Sequence, residues 1–310
     1  MSIATGSLLY LVFAFIPALD DAANFFAPIL DAALPLFMFL VLYVTFCKVD
    51  FRKLIPVGWH LWIALSQVLM VAVVIGAILF FHVTGKSLIL LEALLTCIIC
   101  PCASAAAVVT QKLGGNLEEM TTYTFLSNFL CALLIPVCFP LLDAEADITF
   151  WSAFVAILYK VCLVLVVPMI LAYITKHWHT LCRFYQWVIS MNNLSYYLWG
   201  CSLLIVSGTT VKNIVHAEVA VSFLLLIAVL ALILCLIQFA IGRCIGHFFR
   251  STINAGQALG QKNTAFAIWL TYTYLNPLST VGPGCYILWQ NIINSVEIWR
   301  HDHAIKRINE

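Results

Sequence analysis

Apolar positions in this chain do not alternate; they run on. Stretches long enough for a helix to cross a bilayer lie at 3–19, 26–47, 57–82, 88–110, 118–142, 149–175, 184–207, 217–242, 254–275 and 281–299, each closed by polar residues, Gly or Pro. Ten such runs predict an all-α polytopic membrane protein with about ten transmembrane helices and short connections. The first run is short and closes on Asp20 and Asp21, as a signal peptide would. No Lys or Arg precedes Lys48, however, so the basic leader region is missing.

Where the charges fall orients the spans. If the runs alternate in direction, Lys48, Arg52, Lys53, Lys112, Lys176, Arg183, Arg243, Arg250, Arg300, Lys306 and Arg307 share one side, and only Lys86 and Lys212 fall on the other. The excess marks the cytoplasm, which places both termini inside a cell membrane and Asp143, Glu145 and Asp147 outside. Two lysines, Lys160 and Lys262, remain within the runs. Lys160 is read as reaching the outer interface. Glu92, early in the fourth run, is set either to pair with Lys86 or to face an outer vestibule. Glu118 and Glu119 complement the start of the fifth helix, and Trp59, Trp178, Tyr185 and Trp299 are read as interfacial anchors.

Composition narrows the function classes. With 64% hydrophobic and 9% charged residues, the chain leaves no room for a soluble catalytic or nucleic-acid-binding domain. No nucleophile and base are arranged for catalysis, so no enzyme activity and no cofactor are expected. Most of the twelve cysteines sit inside apolar runs and act as small hydrophobic residues, not a disulfide framework. Cys97, Cys100 and Cys102, and separately His177, His179 and Cys182, invite a metal reading. The first set lies where small residues favour helix contact and the second in a basic turn, so no metal site is expected.

An even number of spans divides into two halves of five, 1–147 and 148–310, with the second inverted in the membrane, a recurrent transporter architecture. The fourth run of each half is broken by small and polar residues: "CIICPCASAAAVVTQKLGGN" and "NAGQALGQKNTAFA". Pro101 removes a backbone donor, and Gly256 and Gly260 loosen the second segment. Such corresponding breaks point to a substrate site. Around them the polar candidates are the hydroxyls of Ser104, Thr110 and Thr264 and the amides of Asn128, Asn263, Gln290 and Asn291, which must find partners in an apolar setting. The hydroxyls are equally suited to bonding their own helices.

These residues carry a resemblance. "CPCASAAAVVTQKLGGN", "ALPLFMFLVLYVTFCKVDFRKL", "LYKVCLVLVVPMILAYITKHW" and "NPLSTVGPGCYILWQNIINSVEIW" are similar, in order, to the fourth, second and sixth helices and the last loop and helix of the bile acid:sodium symporter family. The resemblance implies two inverted five-helix repeats forming a panel and a core, with the fourth and ninth helices unwound and crossed. It also implies alternating-access transport of an organic anion, bile acid-like or a small carboxylate, driven by two sodium ions. At the positions that match the ion motifs, this chain has Gln67, Ala106, Ala107, Met120, Thr124, Ala258 and Lys262. The family's Ser-Asn pair is Ala106-Ala107, one fifth-helix hydroxyl is Met120, the ninth-helix glutamate is Ala258 and its glutamine is Lys262. Gln67 and Thr124 are retained.

Sodium needs several hard oxygen ligands, and these changes remove most of them. A glutamate with two sodium ions carries the same net charge as an alanine with one protonated lysine. The expectation is therefore sodium-independent transport, with the Lys262 ammonium bonding carbonyls freed at the crossover, Gln67 set to bond Lys262, and proton uptake and release by the lysine as one route of coupling. The alternative for Lys262 is snorkelling to the interface. An efflux permease of the arsenite or auxin type and a non-transporting receptor or sensor are the competing functions.

Overall fold

The computed structural model describes residues 2–15, 20–103, 105–142, 150–191, 194–215 and 219–309. Its regular elements are helices, and no strand occurs among the described residues. In order they are α1 Ser2–Phe15, α2 Asp20–Cys47, α3 Gly58–Phe80, α4 Gly85–Ile99, α5 Ala106–Lys112, α6 Leu117–Cys138, α7 Phe150–Leu165, α8 Val167–His177, α9 Cys182–Ser190, α10 Leu194–Val215, α11 Val221–Phe248, α12 Thr252–Gly260, α13 Thr264–Tyr274 and α14 Val281–Asn309. Among the described residues, five helical stretches are long and apolar enough to cross a bilayer: Pro28–Cys47, Gly58–Phe80, Leu117–Leu141, Phe154–His177 and Val221–Phe248. The protein is a multi-pass membrane protein.

Several predicted runs are divided or displaced. The run at 149–175 becomes α7 and α8, because Pro168 offers no N–H to the carbonyl of Val164. The run at 184–207 is replaced by the short α9 and by α10, which extends to Val215 and carries Lys212 in its last turn. A cation there complements the helix C-terminus, so the helix continues through a segment that hydropathy alone would end. The last run also extends, to Asn309.

Helix faces follow the 3.6-residue period. On α3, Ile63, Gln67, Val71, Ile75 and Ile78 are buried, while Leu61, Leu65, Leu69 and Val73 stay exposed on the outer face, as a bilayer solvent permits. On α11 the buried stripe Ile227, Ala231, Cys235, Phe239, Gly242 and Gly246 is small toward its end. There α12 folds back against it, so close that a Cβ on Gly242 would lie 2.4 Å from the carbonyl oxygen of Ala255. Only glycine admits that approach.

Two groups of helices result. Helices α1, α2, α8 and α10 pack chiefly with one another, whereas α3, α4, α5, α6, α11, α12, α13 and α14 form a second group, with α7 touching both α6 and α2. Both interrupted runs, α4–α5 and α12–α13, lie in the second group.

Candidate functional site

Pro101 creates the first break. A continuing α4 would bond the Cys97 carbonyl to residue 101, which has no N–H. The side chain of Gln238 on α11 donates to that carbonyl instead, at 3.3 Å. The amide of Cys102, freed from Ile98, donates to the Ser127 hydroxyl at 2.8 Å. The amide of Ala103, freed from Ile99, donates to the Gln261 carbonyl at 2.9 Å. The carbonyls of Ile98, Ile99 and Cys100 are thus available. Gln67 Nε2 lies 3.0, 3.2 and 3.2 Å from their oxygens.

The second break pairs with the first. Asn263 donates its backbone N–H to the Pro101 carbonyl at 2.9 Å, so Cys102 and Lys262 face each other as an isolated antiparallel bridge. Each unwound segment supplies part of the hydrogen bonding that the other lost, and side chains from neighbouring helices supply more, which is how bare backbone survives away from water. The Gly260 carbonyl accepts from the Tyr286 hydroxyl at 2.8 Å, and that hydroxyl accepts from Gln238 Nε2 at 3.0 Å. Gln238 thereby serves both breaks. Gln290 grips Lys262 through its backbone, accepting from the N–H at 2.9 Å and donating to the carbonyl at 3.2 Å. Asn263 caps α13 by accepting from the N–H of Phe266 at 3.2 Å.

Lys262 is only 1% exposed. Its Nζ donates to the carbonyls of Ile98 and Cys100 at 3.0 and 3.3 Å. It turns into the break and not toward an interface, so the snorkelling alternative does not hold. Among the described residues no carboxylate pairs with it, and its titratable neighbours are the thiols of Cys131, Cys102, Cys100 and Cys97. Gln67 does not bond Lys262, as the sequence suggests; the two donate to the same oxygens. The other ion-motif positions are mostly apolar. Ala106, Met120 and Ala258 share an apolar cluster with Trp59, Ile63 and Tyr123, and Ala107 packs against it. The Thr124 hydroxyl bonds its own helix, at the Met120 carbonyl, 3.0 Å away.

Beside the crossover lies a cavity of about 150 Å³ between the two helix groups. Met38, Val41 and Leu42 of α2 and Ser202 of α10 form one wall. The other includes Ala103, Gln261, Lys262, Asn263, Thr264, Gln290 and Asn291. Asn263, Thr264, Gln290 and Asn291 are therefore brought together, whereas Thr110 and Asn128 are not part of this lining. Both are fully buried, and Asn128 donates to the Thr124 carbonyl at 2.7 Å. Ser104 lies outside the described residues.

Some polar residues take roles that the sequence does not suggest. Trp59, read as an interfacial anchor, is 1% exposed and donates its indole N–H to Glu119 at 2.8 Å. Glu92 accepts from the Ser279 hydroxyl at 2.7 Å and the Asn276 N–H at 3.2 Å, not from Lys86. Lys160 Nζ sits 5.6 Å from the centre of the Tyr274 ring. Asn254 clamps the turn before α6, exchanging bonds of 2.9 and 2.8 Å with the backbone of Asn116. Gln238, Ser127, Tyr286 and Gln261 are the site residues that sequence reasoning missed. The one signal for Gln238 is its amide inside an otherwise apolar helix, a group that must find partners.

The family model of the SBF-like CPA transporter family matches residues 37–285. No curated protein matches the chain. The matched span runs from the second helix through both breaks and into the last helix, and so contains the crossover and most of the cavity wall. The chain belongs to the SBF-like CPA transporter family, akin to the bile acid:sodium symporters, and is a membrane transporter.

Proposed function

We propose that the chain is a sodium-independent secondary transporter of an organic anion, in which the protonated Lys262 takes the place that sodium ions hold in sodium-coupled relatives. The observation that carries this reading is the pair of hydrogen bonds from Lys262 Nζ to the freed carbonyls of Ile98 and Cys100. It is supported by the identities of Ala106, Ala107, Met120 and Ala258, whose side chains carry no oxygen for a hard cation.

The ammonium in this reading neutralises and orients the carbonyl dipoles that the two breaks leave open. The chain forms ten spans in two intertwined inverted repeats, 1–147 and 148–310, with both termini cytoplasmic. Alternating access comes from movement of the group containing the crossover against the group of α1, α2, α8 and α10. The cavity at their boundary opens to one side and then the other, and the buried lysine exchanges a proton as it does so. Thermal unfolding of the purified chain in sodium chloride and in choline chloride at several pH values tests the claim. Equal midpoints in the two salts, with a dependence on pH that Lys262→Gln removes, are expected; stabilisation by sodium in the wild type contradicts it.

A further inference from the structure

The helix α9 is too short to cross a bilayer. Its nine residues, Cys182–Ser190, extend about 14 Å, against a hydrocarbon core of about 30 Å. One face is fastened down: Val188 is buried, and Tyr185 and Ile189, on the same helical stripe, pack against the core that α2 and α8 share. The opposite face is open. Phe184 and Trp187 are 46% and 58% exposed, their ring centroids lie 5.7 Å apart, and the exposed Arg183 stands one turn before Trp187. A short helix with aromatic rings and a cation on its free face lies in the plane of the membrane interface.

Positive charge gathers beside this helix. Lys48 Nζ donates to the carbonyl of Met191, just after α9, at 3.1 Å, and Lys176 Nζ donates to the carbonyl of Val49 at 2.8 Å. The turn at 48–53 is thereby fastened to the ends of α8 and α9, and Lys48, Arg52, Lys53, Lys176 and Arg183 share one surface. The acids that touch these lysines are already paired: Asp50 lies 3.9 Å from Lys176 and Glu118 2.7 Å from Lys53. No Asp or Glu occurs from 148 to 217. Among the described residues no acid pairs with Arg52 or Arg183, and both are exposed. A guanidinium fork matches the oxygens of a phosphate. Exposed rings next to it match the glycerol and upper acyl region of a lipid, which a soluble phosphate does not have.

We infer that the surface formed by α9 and the turn at 48–53 docks anionic phospholipid headgroups, with Arg52 and Arg183 on phosphate and Phe184 and Trp187 against the lipid chains. The surface belongs to the group of α1, α2, α8 and α10, so bound lipid ties that group to the bilayer. It depends on neither the substrate nor Lys262. Thermal unfolding of the full chain in a neutral detergent, with added phosphatidylglycerol or phosphatidylcholine of the same acyl chains, tests it. Phosphatidylglycerol raises the midpoint, phosphatidylcholine does not, and high salt weakens the effect. Arg52→Gln combined with Arg183→Gln raises the phosphatidylglycerol needed for half of the shift by at least about tenfold, since each cation beside an anionic headgroup adds about fivefold. Lys86→Gln, at the far end of α3 from this turn, leaves it unchanged. Equal shifts from the two lipids overturn the inference, as does a double variant that responds to phosphatidylglycerol like the wild type. A shift of the same size from soluble glycerol phosphate also overturns it. The comparison of the two lipids on the wild type decides the matter even where the double variant does not fold.

Discussion

Lys262 and Gln67 reach the same two carbonyl oxygens. The lysine ammonium is 3.0 Å from Ile98 and 3.3 Å from Cys100, and the glutamine amide nitrogen is 3.0 and 3.2 Å from them. One donor comes from the break between α12 and α13 and the other from the middle of α3. A pair of acceptors created by Pro101 is thus held from two directions. Removing either donor leaves the other in place.

That sharing predicts a measurable coupling. Lys262→Met and Gln67→Leu should each cost about 1–3 kcal/mol, since part of the bonding to the two carbonyls is lost each time. The double variant should exceed the sum of the two by about 0.5–1 kcal/mol, because only then do both oxygens lose every donor. Denaturant unfolding of the three variants measures this; strict additivity contradicts it.

Gln238 and Tyr286 predict a second effect. Tyr286→Phe strips the Gly260 carbonyl of its donor and Gln238 of an acceptor. The change should destabilise by about 1–3 kcal/mol, although it removes a single oxygen. Ile293→Val on α14, a small change packed against the same cluster, touches neither of these hydrogen bonds and serves as the comparison. Thermal unfolding in the same lipid reads both.

Glycine on α11 separates packing from propensity. Gly242→Ala places a methyl group 2.4 Å from the Ala255 carbonyl oxygen, and both partners are backbone that cannot rotate away. A loss of about 1–3 kcal/mol is expected from overpacking. Gly76→Ala on α3 meets nothing within 4 Å, so the better helix former should gain about 0.5–1 kcal/mol. Opposite shifts in unfolding temperature are the result to look for.

These contrasts show what was legible in the sequence. Pro101 and the glycine-dotted segment at 254–263 predict both helix breaks, because a missing N–H and a missing side chain act locally. Lys262 is visible as a charge in an apolar run. Its acceptors are not, since which carbonyls it meets depends on how α4 and α12 cross in space. Asn128 shows the opposite failure: an amide in a span is rightly expected to need a partner, yet it finds one in its own helix at Thr124 and stays out of the cavity lining. Gln261 escapes notice for a third reason. It sits beside Lys262 in a stretch already polar, so nothing in the pattern separates it from its neighbours.

Proton exchange by Lys262 predicts that anion uptake varies with pH in the wild type. In Lys262→Met, initial rates should fall by at least about tenfold, and whatever uptake remains should be flat across pH. A variant that keeps the wild-type pH profile removes the lysine from the coupling step.

The most direct measurement is uptake of a radiolabelled small carboxylate into proteoliposomes, at fixed pH, with sodium replaced by choline on both sides. Rates unchanged by the replacement, and raised by an imposed proton gradient or by the substrate gradient alone, are expected. Uptake that collapses when the sodium gradient is removed contradicts it.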